Sequence, residues 1–82
     1  MIEIYSKPNC PYCDAAKAVF RANSVQFNEH VVGSDISREE FLQKFPNCKT
    51  VPQIIINGHH VGGYTDLTEW MTHNDLRNVL SG

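Results

Sequence analysis

The chain has no long apolar run. Nothing in its 82 residues approaches the ~18 consecutive apolar positions that a bilayer crossing requires. The opening Met1-Ile2-Glu3-Ile4-Tyr5 has neither the basic start nor the apolar stretch of an export signal. Basic charge is also scarce: seven Lys and Arg stand against nine Asp and Glu, for a formal charge of −2. Lys7, Lys17, Arg21, Arg38, Lys44, Lys49 and Arg77 are scattered along the chain, whereas phosphate backbones call for clustered Lys and Arg. No nucleic-acid partner and no membrane surface are therefore expected. Three cysteines are too few, and too odd in number, for a disulfide framework. Without an export signal they point to a cytoplasmic, reducing compartment, where cysteines do chemistry or fill space. There is no internal repeat, low-complexity tract or linker. The length suits one domain, residues 1–82. A composition of 41% hydrophobic and 20% charged residues is that of an ordinary globular domain, which excludes a disordered tail, a collagen-like repeat and a coiled coil.

What is present reads as alternating strands and helices. Ile2-Glu3-Ile4-Tyr5 alternates as a short strand that ends at Ser6-Lys7-Pro8-Asn9. From Pro11 to about Asn23 the composition is helical, with Ala16, Val19, Phe20 and Asn23 on one face. Val25 to Val32 reads as a second strand, with Val25, Phe27 and Val31 inward. Ser37-Arg38-Glu39-Glu40 has the form of a capping box that opens a second helix. Phe41, Leu42 and Phe45 supply its apolar stripe and Pro46 stops it. Val51 to Ile56 is an apolar strand. Asn57-Gly58 is a strong hairpin signal that turns His59 to Val61 back antiparallel, and Gly62-Gly63 breaks that strand. One final helix starts near Thr65, burying Leu67, Trp70, Met71, Leu76, Val79 and Leu80. The order is β-α-β-α-β-β-α: three helices and a four-stranded mixed sheet, in which two crossover helices make the first strands parallel.

The chemistry gathers at three places. Cys10-Pro11-Tyr12-Cys13 sits between a strand and a helix. Cys10 falls where unpaired N–H groups and the helix dipole favour negative charge, which lowers a thiol below its usual ~8.5. Pro11 suits the first helical turn. Cys13, one turn along and more enclosed, is set to attack a mixed disulfide on Cys10. The competing use of such a pair is half a zinc site, but no second ligand pair follows. Cys48 stands alone, and His59 and His60 are strand neighbours that face opposite sides. Thr50-Val51-Pro52 reads either as strand punctuation or as a cis-proline presenting the Val51 backbone to an extended, peptide-like substrate. In Gly62-Gly63-Tyr64-Thr65-Asp66 the glycines allow close backbone approach and Thr65 and Asp66 open a helix, whose N–H groups can cap the helix or hold a carboxylate.

Tyr5, Lys7, Cys10-Pro11-Tyr12-Cys13, Thr50-Val51-Pro52-Gln53, Asn57-Gly58 and Gly62-Gly63-Tyr64-Thr65-Asp66-Leu67 together resemble a dithiol glutaredoxin of the small bacterial or phage kind. The resemblance spans essentially the whole chain, in order and at family spacing. It implies a thioredoxin-like fold and a glutathione-dependent enzyme that reduces protein disulfides and glutathione mixed disulfides. In that reading Cys10 is the nucleophile and Cys13 the resolving thiol. Tyr12, Thr50, Val51 and Pro52 line the glutathione groove. Gly63, Thr65 and Asp66 take the γ-glutamyl end, and Lys7, with Arg38 or Lys49, faces the glycyl carboxylate.

The resemblance also implies no bound cofactor or metal, glutathione as co-substrate and a monomer. Its protein partners carry disulfides or glutathionyl groups, with ribonucleotide reductase one example the family admits. Lys49 stands where many relatives have Arg, keeping the charge but losing the bidentate fork. Cys48 reads as an inert, part-buried thiol. The alternative activity is an iron–sulfur cluster carrier using Cys10 and glutathione. Pro11-Tyr12 between the cysteines weighs against it, since related carriers show a Gly-Phe-Ser ending.

Overall fold

The computed structural model describes residues 1–48 and 50–81, the last three of these by backbone only. The expectations for Lys49 and for burial of Val79 and Leu80 lie outside the described residues. Strand β1 (Ile2–Ser6) leads to helix α1 (Pro11–Ala22), strand β2 (Asn28–Val31) and helix α2 (Arg38–Lys44). Strands β3 (Gln53–Ile56) and β4 (His59–Gly62) form a hairpin, followed by helices α3 (Tyr64–His73) and α4 (Leu76–Ser81). The sheet order is β2-β1-β3-β4.

Period-two alternation divides the core between the two faces of the sheet. Ile2 and Ile4 of β1 and Ile54 and Ile56 of β3 point to the face covered by α1 and α3, where they meet Ala16, Phe20 and Leu67. Tyr5 points to the other face and packs with Phe41 and Phe45 at α2. Burying each of these large side chains stabilises the fold by about 1.5–3 kcal/mol. Ser37 Oγ accepts from the Glu40 N–H at 3.0 Å, the N-cap expected for α2. At the hairpin, Asn57 and Gly58 both take positive φ, 51° and 82°, as a tight two-residue turn between right-twisted strands demands.

Four expectations need correction. The second strand is shorter than Val25–Val32: its pairing with β1 runs from Asn28 opposite Glu3 to Val31 opposite Ser6. Val25 and Phe27 still pack against the larger core without belonging to the strand. Only β1 and β2 are parallel; β3 runs antiparallel to β1. The seven-residue α2 does not carry the chain back along the sheet, so β3 starts at the end where β1 and β2 finish. Leu42 is exposed (36%) rather than part of the helix stripe, and α2 ends at Lys44. Phe45 has already left the helical region (φ −130°, ψ 73°), since the residue before Pro46 is disfavoured there.

The final helix is two helices, giving four among the described residues. Asn74 is extended (φ −138°, ψ 142°), and its side chain donates to the Trp70 carbonyl at 2.9 Å. The Asp75 carboxylate accepts from the Arg77 N–H at 2.9 Å. Adjacent Asn and Asp thus end one helix and start the next with their own side chains.

Candidate active site: a dithiol at a helix N-terminus

Because β3 starts where β1 and β2 end, three loops distant in sequence converge at one end of the sheet. The loop after β1 carries the cysteines. Cys10 is the N-cap of α1, extended at φ −115° and ψ 101°, and Pro11 occupies the first turn. The Cys13 N–H donates to Cys10 Sγ at 3.2 Å, so one orphan donor of the helix start is aimed at the sulfur. Cys10 and Cys13 are joined as a disulfide, with Cα atoms 5.2 Å apart. Cys10 keeps 5% of its surface accessible and Cys13 none.

The loop before β3 closes over this pair. Val51–Pro52 is a cis peptide, as the sequence suggests, and the Val51 carbonyl oxygen lies 3.9 Å from Cys10 Sγ. Lys7, Thr50 and Val51 line one cavity of about 770 Å³. Arg38 and the exposed Leu42 reach it from α2, so it has two cationic side chains and an apolar wall.

The third loop meets the second from the other side. A Cβ placed on Gly63 would lie 3.6 Å from the Pro52 carbonyl oxygen. Gly63 is the N-cap of α3, and its N–H donates to Asp66 Oδ2 at 3.0 Å. Gly62 sits at φ +116°, where a Cβ would fall 2.5 Å from the same carboxylate oxygen. Thr65 is exposed, and its carbonyl accepts from Thr68 Oγ1 at 2.7 Å. Tyr12 is 65% exposed, its ring 6.0 Å from that of Tyr64. The sequence-expected residues therefore fall into two groups about Pro52: Lys7, Thr50 and Val51 in the cavity, and Gly63, Thr65 and Asp66 at the start of α3. Thr65 and Asp66 do not line the cavity, and Asp66 lines a separate cleft with His59 and Trp70.

Beneath the site, Ser6 Oγ donates to Glu29 Oε2 at 2.6 Å and Lys17 Nζ donates to the same oxygen at 2.8 Å. The Lys17 hydrogen bond, then that of Ser6, holds the Glu29 carboxyl below the usual carboxylate range against the opposing effect of burial. At the far face a hydrogen bond from Lys44 to Tyr5 raises the Lys44 ammonium above its usual value. Cys48 is half-buried against the Tyr5–Phe41–Phe45 cluster. His59 and His60 face opposite sides: one lines the cleft beside α3, the other packs on Phe45. Among the described residues, no three of His, Cys, Asp and Glu gather as a metal site.

The family model for glutaredoxins matches residues 2–61, which include both cysteines and the Thr50-Val51-Pro52 turn. The chain belongs to the glutaredoxin family. It is 41% identical to glutaredoxin 3 of Escherichia coli K12 over 66 residues, 80% of each chain. The crystal structure of glutaredoxin 1 from Francisella tularensis superposes with a TM-score of 0.77 at 32% identity, covering 88% of this chain and 92% of that one. A buckwheat glutaredoxin–glutathione complex shares the fold at a TM-score of 0.76 and 24% identity, covering 98% of this chain and 76% of that one. Glutaredoxins are glutathione-dependent disulfide oxidoreductases that need no bound cofactor, and the redox-active dithiol of this glutaredoxin is Cys10-Cys13. Arg38, one of the cations expected to face a carboxylate, does line the cavity, whereas Leu42, read from the sequence as core, is what sequence reasoning missed, because α2 displays it toward the site.

Proposed function

We propose that residues 1–82 act as one domain that reduces glutathione mixed disulfides with Cys10 alone and protein disulfides with Cys10 and Cys13 together. In the first reaction the Cys10 thiolate attacks the glutathionyl sulfur. A Cys10–glutathione disulfide forms as the target thiolate leaves, and a second glutathione thiolate then releases oxidised glutathione and restores Cys10. In the second, Cys10 forms a mixed disulfide with the protein. Cys13 attacks the Cys10 sulfur from one turn away, the reduced protein leaves, and a Cys10–Cys13 disulfide remains. Two glutathione molecules reduce it.

The observation that carries this reading is the asymmetry of the pair: Cys10 keeps 5% of its surface accessible and has an N–H aimed at its sulfur, while Cys13 is fully enclosed. Lys7 and Arg38, which both line the cavity, suit a glycyl carboxylate, and the Thr50 and Val51 backbone ahead of cis-Pro52 suits an extended peptide-like ligand. Tyr12 would cover the cysteinyl middle of glutathione. Gly63, Thr65 and Asp66 would take the γ-glutamyl end, Asp66 through the oxygen not used in its cap. Support for glutathione itself comes from family membership and from the solved complex of the buckwheat relative. The protein partners in this reading are disulfide-bearing or glutathionylated proteins, ribonucleotide reductase among them, met by a cytoplasmic monomer.

The test compares two substrates, a small glutathione mixed disulfide and an intramolecular protein disulfide. Cys13→Ser should retain the first activity and lose most of the second, and Cys10→Ser should lose both. Equal loss of both activities in Cys13→Ser would rule out the division of labour.

A further inference from the structure

Gln53 is polar yet only 6% exposed, at the start of β3 behind the Thr50-Val51-Pro52 turn. Its amide nitrogen donates to the Thr50 carbonyl oxygen at 2.9 Å. With the nitrogen so used, the amide oxygen is left to accept, and its partner is Nε2 of His60 at 2.8 Å. The network thereby assigns the imidazole proton to Nε2. His60 lies on β4 opposite Ile55, and its ring packs 5.0 Å from that of Phe45.

We infer that His60 is a positioning residue for the reaction: by pinning the Gln53 amide it holds the Thr50 carbonyl, and with it the Val51 backbone, against Cys10. The inference rests on the proposed reading of the Lys7–Thr50–Val51 cavity as the glutathione groove. Its physical basis is the cost of an orphaned polar atom. Without His60, which is itself exposed, the Gln53 oxygen loses its donor in a part-buried site, so the amide turns or takes water in its place. Either response loosens its hold on Thr50, next to the residue whose carbonyl lies 3.9 Å from Cys10 Sγ. A groove backbone that is held less firmly binds an extended ligand less tightly in ground and transition state alike. His60 itself touches no reacting atom; it acts only through Gln53.

His60→Phe and His60→Gln separate the two things this side chain does. Phe keeps a ring on Phe45 and has no donor. Gln keeps an N–H at similar reach and has no ring. In steady-state turnover of a small glutathione mixed disulfide with glutathione, His60→Phe should raise the apparent KM about tenfold with kcat little changed. His60→Gln should restore KM to within about twofold of the parent while melting at a lower temperature. Lys7→Ala, in the same cavity but outside the relay, reports on the groove separately. If Lys7→Ala raises KM and His60→Phe does not, the relay is refuted and the groove reading stands. If neither changes KM, the groove reading falls and the inference falls with it. If KM in both His60 variants rises in step with lost thermal stability, the residue only packs, and the positioning role is wrong.

Discussion

Replacing Glu29 with Gln removes one charge from the Ser6–Glu29–Lys17 network and little else. Gln retains an oxygen to accept from Ser6, which is buried and needs that acceptor. What is lost is the attraction between Lys17 Nζ and the carboxylate at 2.8 Å, between side chains that are 16% and 31% exposed. Exposed ion pairs contribute about 0–1 kcal/mol, and breaking a buried one costs about 3–5 kcal/mol. This half-sheltered pair lies between, at about 1–2 kcal/mol, or a fall of roughly 5–15 °C in melting temperature for a domain of this size. The pH dependence follows from the direction of the shift. The folded-state carboxyl is held below its ordinary 4.5, so the stabilisation is present in full above that value. It is lost as pH falls through the lower, folded-state value, where the parent protein also becomes neutral at position 29. Thermal melts followed by circular dichroism from about pH 7 to about pH 3 should therefore show a gap between parent and variant that is constant near neutrality and closes in acid. A gap that persists unchanged to the acid end would mean that shape, not charge, distinguishes the two side chains.

Gly62→Ala should destabilise the protein by about 2–3 kcal/mol in chemical denaturation, because a Cβ would meet the Asp66 carboxylate at 2.5 Å in addition to requiring φ +116°. Gly58→Ala, with φ +82° but nothing within 4 Å, should cost less, and the reverse order would contradict the close approach at Gly62. In the reduced protein, iodoacetamide should label Cys10 first and continue to do so below the ordinary thiol value of ~8.5. Faster labelling of Cys48 would reassign the nucleophile.

Local signals carried most of the architecture. The Ile2–Tyr5 alternation, the Ser37 cap and the Asn57-Gly58 turn each encode their structure within a few residues, and each was legible. What failed depended on partners elsewhere. Val25 to Val32 has strand composition throughout, but only residues with a neighbour in β1 become strand. The direction of β3 is set by where α2 leaves the chain, which composition does not express. The break at Asn74-Asp75 was expressed locally, since both are capping residues, but the apolar periodicity on either side masked it. At the site, the motifs located Cys10, Cys13, Val51 and Gly63. The link from His60 through Gln53 to Thr50 was invisible, because two residues seven apart meet only through hairpin register. That register is shifted between Ile54 and Ile55, which leaves Val61 as an extra residue in β4.

The unequal burial of Cys10 and Cys13 gives the proposed cycle a single doorway. In the proposed cycle a disulfide substrate and the thiol that later restores the enzyme both approach Cys10, because Cys13 has no accessible surface. Both halves of the cycle thus share one sulfur and one approach path, and they must take turns. The enclosed cysteine serves as an internal store, holding oxidising equivalents after one visitor has left and surrendering them, again by way of Cys10, when the next arrives.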